Sequence, residues 1–147
     1  MSEHTRQHDG DEPPPLVIVD AANVVGSVPD GWWKDRKAAT ERLRDALLPL
    51  AAHGLPATSD APAWARRGPL DLVLVVEGAA GGVAESAGLR VARAPGSGDD
   101  LMVELVRAEH DGGSRRPCLV VTADRELRSR VSALGAEVAG PRTVRPR

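Results

Sequence analysis

The chain has 147 residues, a formal net charge of −2 and one cysteine; its aromatic residues are Trp32, Trp33 and Trp64, with no Phe or Tyr. That length and composition call for one domain with a core of Val, Leu and Ala. The lone Cys118 excludes an intrachain disulfide or a thiolate metal site and reads as a small buried hydrophobe. No apolar run reaches membrane-spanning length and no signal-peptide pattern opens the chain, so a soluble cytoplasmic protein without a membrane partner is expected.

Residues 1–15, "MSEHTRQHDGDEPPP", are polar and end in three prolines, a composition that cannot bury enough surface to order itself. They are expected to form a disordered tail, leaving residues 16–147 as the domain. The run "LVIV" at 16–19 reads as a strand, and it leads into Asp20 and then Asn23. Ala39, Leu43, Ala46, Leu47 and Leu50 recur at helical spacing and mark one face of a helix. Pro49 should kink or end it, with Gly54 just beyond. "GLPATSDAPAWARRGP" reads as a loop from its Pro, Gly and Ser content.

A second strand, "LVLVV" at 72–76, runs into Glu77; "GGVAESAG" allows only a short helix before a third strand, "LRVAR" at 89–93. Leu101, Leu105 and Val106 share a face of a helix opening at Asp99 or Asp100, where Ser97 and Asp100 have capping-box spacing. The fourth strand, "CLVVT" at 118–122, ends in Thr122-Ala123-Asp124. A helix from Asp124 carries Leu127, Val131 and Leu134 and stops at Gly135, and "AEVAG" at 136–140 closes the chain as an edge strand. Continuous Val/Leu runs suit parallel strands buried on both faces. Right-handed crossovers then give an α/β fold, a three-layer α/β/α sandwich with a five-stranded, mainly parallel sheet.

The residues that leave these strands carry the functional signal. Asp20, Glu77, the pair Asp99 and Asp100, and Asp124 follow four different strands, and open α/β sheets bind ligands beyond the C-terminal strand edge. Two carboxylates about 5 Å apart at an effective dielectric near 20 repel by roughly 3 kcal/mol, so several could not stay ionised together without a cation. Mg²⁺ and Mn²⁺ take oxygen ligands and keep several waters, which suits such a set. Each acid has an ordinary alternative: Asp100 and Asp124 as helix caps, Asp20 with Asn23 as a turn, Glu77 as a loop carboxylate. Capping does not account for their coincidence on one edge.

Other chemistries fail on spacing. "GSGDDL" at 96–101 lacks the third glycine of a dinucleotide fingerprint and would face a pyrophosphate with two acids. No Walker lysine, G-x-S-x-G or H-E-x-x-H is present. Residues 115–147 hold eight arginines, Arg125 and Arg128 among them, against Asp124, Glu126 and Glu137. Such a basic region attracts a phosphate backbone.

"VIVDAANVVG", "GSGDDLMVELV" and "LVVTADRELRSRVSALGAEVAGP" resemble the three signature blocks of the PIN-like nuclease superfamily, in its NYN branch of bacterial ribonucleases. The resemblance runs from about Leu16 to Val144. It implies strand order 3-2-1-4-5 and a hydrolase, a Mg²⁺- or Mn²⁺-dependent endoribonuclease with RNA as partner. It makes Asp20, Asp100 or Asp99, and Asp124 the catalytic acids and metal ligands, with Glu77 a less regular fourth. It places Asn23 beside Asp20 and Thr122 as the residue orienting Asp124. The residues expected to bind substrate are Asn23, Ser97, Thr122, Arg125 and Arg128. Two alternatives stand beside it: a non-catalytic RNA- or ribosome-binding module on the same fold, and a small nucleotide (pyro)phosphohydrolase. Trp32 and Trp33 either stack bases at the rim or cover the first helix.

Overall fold

A computed structural model describes residues 13–57, 59–78, 82–86 and 88–145; of the expected tail, residues 1–12 lie outside the described residues. Five strands form one parallel sheet: β1 (Leu16–Asp20), β2 (Asp71–Val76), β3 (Arg90–Arg93), β4 (Cys118–Val121) and β5 (Glu137–Ala139). Their order is β3-β2-β1-β4-β5. Four α-helices connect them: α1 (Ala21–Val25), α2 (Arg36–His53), α3 (Gly98–Asp111) and α4 (Arg125–Ser132).

The alternation of side chains along each strand divides the core into two layers. Val17, Val19, Leu72, Leu74, Leu119 and Val121 point to the face covered by α1 and α2, through Val24, Leu43 and Leu47. Leu16, Ile18, Val73, Val75 and Val120 point to the opposite face, against Met102 and Val106 of α3 and Leu127 and Val131 of α4. β1 is buried at every residue, because it lies between β2 and β4 and under helices on both sides. This is why its sequence shows no polar alternation.

Several local expectations shift. Ala46 is exposed, and the buried face of α2 is Ala39, Thr40, Leu43, Leu47 and Ala51. Pro49 lies inside α2 without ending it; it removes one backbone hydrogen bond while the buried Leu47 and Ala51 on either side keep the last turns docked. The helix stops at Gly54, whose φ of 102° an L side chain rarely adopts. The segment expected to be all loop contains a 3-10 turn at Ala63–Arg66. Between β2 and β3 the described residues carry no α-helix; Ser86 and Leu89 form an isolated antiparallel bridge. Val83 is the buried side chain of residues 82–86, too little apolar surface for a helical face. Cys118 is half-buried, and burial pushes its thiol up to about 12, so it packs rather than reacts.

Candidate active site

The chain switches direction across the sheet at β1: β2 and β3 lie to one side, β4 and β5 to the other. A crevice forms at such a point beyond the C-terminal strand ends, and Asp20 stands there. The β1–β4 ladder ends with the pair Val19 and Val121, while Asp20 still pairs with Val75 of β2. The strand therefore delivers a carboxylate that is only 5% exposed.

Two groups hold that carboxylate. Thr122, fully buried just past β4, donates its hydroxyl to Asp20 Oδ2 at 2.9 Å. The Asn23 backbone N–H donates to Oδ1 at 3.3 Å, which makes Asp20 the N-cap of α1. Asn23 serves in turn as a tie between strand exits: its Oδ1 accepts the Ala123 N–H at 2.9 Å. Thr122 Oγ1 also accepts the Asp124 N–H at 3.1 Å. One hydroxyl thus links the backbone that carries Asp124 to the Asp20 carboxylate. The expected role of Thr122 is enlarged, since its side chain contacts both acids' residues rather than Asp124 alone.

Asp124 caps α4 by accepting the Leu127 N–H at 3.0 Å through Oδ1. Glu77, just past β2, reaches across to α3 and accepts the N–H of its first residue, Gly98, through Oε2 at 3.0 Å. Ser97 accepts the Asp99 N–H at 3.1 Å; it is an N-cap, but the reciprocal bond of a capping box is not formed with Asp100. Asp99 and Asp100 are adjacent on a helix and so point about 100° apart. Asp99 turns toward the other acids, and Asp100, its side chain 77% exposed, pairs with Arg130 Nη2 at 3.1 Å.

Electrostatics marks the group that belongs together. Burial raises the Asp20 carboxyl above its ordinary value, against the hydrogen bonds from Thr122 and Asn23, and the negative charges of Asp99 and Glu77 push it the same way. Asp99 is also raised, first by burial and then by Asp124 and Glu77, with Arg130 opposing. Asp99 and Glu77 thus act on Asp20, and Asp124 and Glu77 act on Asp99, with Asp99 and Glu77 common to both sets. Among the described residues, no three His, Cys, Asp or Glu side chains converge as ligands of one ion.

The arginines divide in two. Arg128 donates Nε to the Thr122 carbonyl at 2.7 Å, and Arg145 bonds the Val24 and Val25 carbonyls and pairs with Asp30; these buttress the site. Arg125 and Arg142 are exposed and form no ion pair among the described residues. Sequence reasoning missed Gly98. A Cβ there would stand 2.7 Å from Glu77 Oε2, and the signal was the glycine between Ser97 and Asp99, weighed only as part of a phosphate loop. It also missed the cleft that Trp32, Arg36 and Thr40 make beside α1.

No family model and no curated protein matches the sequence. The structure matches crystal structures of Rae1 (YacP) from Bacillus subtilis. The W164L mutant aligns with a TM-score of 0.67 at 14% identity, covering 88% of this chain and 72% of that one. A second Rae1 structure gives a TM-score of 0.63 at 14% identity, covering 87% and 70%. The sheet order β3-β2-β1-β4-β5 is consistent with a PIN-like fold. At this identity the likeness to Rae1 is one of architecture and speaks for no side chain. Among the described residues, no helix is long and apolar enough to cross a membrane.

Proposed function

We propose that this chain is a cytoplasmic, Mg²⁺- or Mn²⁺-dependent endoribonuclease whose site is the acidic edge around Asp20. The observation that carries the reading is the gathering of acids from three strand exits and the start of α3: Thr122 ties Asp20 to the Asp124 backbone, Glu77 and Asp99 act on Asp20, and Asp124 and Glu77 act on Asp99. Asp20 and Asp99, raised first by burial and then by neighbouring carboxylates, gain from a cation. The donor set is all hard oxygen, and Mg²⁺ is commonly held by one or two carboxylates with waters completing its shell. Asp20 and Asp124, with Asp99 and Glu77 next to them, would hold the ion. When bound, it supplies Lewis-acid stabilisation of a phosphodiester's developing charge and a more acidic water.

The chain's own residues supply the positioning. Thr122 and the Asn23 N–H fix both oxygens of Asp20, leaving one orientation for its remaining lone pairs. Asn23 locks the β1 exit to the β4 exit through Ala123. Arg125 and Arg142 draw in the RNA backbone, a contribution that falls as salt rises. Asp100, paired with Arg130, orients that arginine at the rim.

The spacing of the acids favours a second reading, a non-catalytic RNA- or ribosome-binding module, because no three of them converge among the described residues. Titration with Mn²⁺ and cleavage of a single-stranded RNA separate the two. Asp124→Asn keeps a good helix cap while removing the charge, so it tests the charge and not the fold. A ribonuclease binds Mn²⁺, and Asp20→Asn and Asp124→Asn each lower its cleavage by about 100-fold or more, roughly 2.7 kcal/mol of barrier. Wild-type cleavage rates in both folded variants refute the assignment; RNA binding with neither Mn²⁺ binding nor cleavage supports the module.

A further inference from the structure

A cleft of about 170 Å³ opens beside the acids, between α1 and the 3-10 turn Trp32–Lys34 that precedes α2. Ala21 and Val25 give it an apolar lining, Trp32 and Arg36 line it too, and Glu77 is the acid among its lining residues. The cleft and the acidic group share Glu77, whose charge acts on both Asp20 and Asp99. Ala21 follows Asp20 directly. Whatever occupies the cleft therefore reaches the acids within one residue.

Its chemistry is mixed in an informative way. Trp32 is half-buried and packs on the core, so its indole is held in place. The Arg36 guanidinium lies 5.4 Å from the Trp32 ring centroid. Arg36 is exposed and pairs with no carboxylate among the described residues, although Glu77 also lines the cleft. Trp33 braces Trp32 edge-on, with ring centroids 5.9 Å apart, and is itself 54% exposed. An apolar lining, an indole and one guanidinium without a carboxylate partner match a nucleotide. The base lies along the apolar lining and the indole, and the phosphate meets Arg36. The volume admits one base and not a base pair.

We propose that the Trp32–Arg36 cleft seats one unpaired nucleotide of a single-stranded RNA, adjacent to the phosphate presented to the acids. The strand's direction toward Asp20 rests on the ribonuclease reading; the nucleotide subsite itself does not. The cleft admits only an unstacked base, so it makes the protein selective for single strands over duplex.

The test is fluorescence anisotropy of the full chain with labelled six-nucleotide RNAs and a hairpin duplex, in EDTA so that nothing turns over. Trp32→Ala should weaken single-strand binding about 5- to 100-fold, the range for loss of one base–aromatic stack, and Trp32→Phe should restore most of it. Arg36→Gln, on an exposed position, should weaken binding and reduce the slope of log K against log salt by about 0.7, one phosphate contact on a single strand. If Trp32→Ala does not fold, Arg36→Gln still decides. Wild-type affinity and salt slope in Arg36→Gln, or equal affinity for hairpin and single strand, overturn the proposal. The two readings fail separately. Trp32- and Arg36-dependent binding without cleavage keeps the subsite and removes the nuclease. Cleavage with an unchanged KM in Arg36→Gln, together with its unchanged EDTA binding, keeps the nuclease and removes the subsite.

Discussion

Gly98→Ala should separate stability from the site. Gly98 is the first residue of α3, its φ is not in the left-handed region, and alanine is preferred to glycine in a helix by up to about 1 kcal/mol. Against that gain stands one close approach: the new Cβ falls 2.7 Å from Glu77 Oε2, with Val75 Cγ1 at an ordinary 3.5 Å. The atom in the way is the end of a flexible side chain, so Glu77 swings out and gives up its 3.0 Å bond from the Gly98 N–H. A hydrogen bond to a charged group contributes about 1.5–3 kcal/mol when fully protected. Glu77 is half-buried and its carboxylate regains water, so the loss should be near the bottom of that range. The two effects nearly cancel, and denaturant unfolding should give a stability within about 1 kcal/mol of wild type. Mn²⁺ affinity and RNA cleavage should both fall, because one acid of the group has left its place. Unchanged metal affinity and rate would show that Glu77 takes no part in the site. A loss above about 3 kcal/mol would show that backbone, not Glu77, yields.

Further outcomes follow from the same contacts. Asp20→Asn should unfold at a higher temperature than wild type near neutral pH. The folded-state carboxyl is raised, so its ionisation disfavours folding above the folded value and costs nothing below the unfolded one; the gap should close as pH falls through that window. Thr122→Val keeps the shape of a fully buried side chain but leaves the Asp20 carboxylate and the Asp124 N–H short of a partner; it should cost about 1–3 kcal/mol and lower cleavage, measured by denaturation and RNA turnover. Arg116→Met removes a guanidinium that bonds Glu109, Asp71 and the Pro14 carbonyl at the opposite edge of the sheet, and should cost about 1–3 kcal/mol with cleavage per folded molecule unchanged. Arg116 holds Glu109 below its ordinary value, stability that is present above the unfolded value and lost as pH falls through the folded one. The difference between Arg116→Met and wild type should therefore shrink in acid.

The strands and the identity of the acids were legible in the sequence, because both rest on local rules. A run such as "LVIV" or "LVLVV" is apolar at every position only if both its faces are covered, and a chain that alternates such runs with helices has few topologies open to it. Asp20 and Glu77 were visible as the first polar residues after those runs, and Asp124 as the acid two residues past Thr122. Less legible were features that depend on small differences in local energy. Pro49 stays inside α2 because the helix is docked on both sides of it, which its propensity does not reveal. The absence of an α-helix in the described residues between β2 and β3 turns on how little apolar surface Val83 can bury.

Spacing along the chain could bring Asp99 and Asp100 to the edge together and could not choose between them. The tertiary structure sets them apart through the geometry of α3 and the position of Arg130 on α4: Asp99 feels the charges of Asp124 and Glu77, while Asp100 is exposed and paired with Arg130. The same holds for Thr122, Asn23 and Gly98. Each acts across about 100, 100 and 21 positions of sequence respectively, and a hydrogen bond between strand exits exists only once the sheet order makes β1 and β4 neighbours. Composition and periodicity determined that this chain folds as an α/β sandwich with acids leaving its strands. Which acids meet, and which cleft stands beside them, was decided by helix rotation and side-chain reach, quantities that no short stretch of sequence encodes.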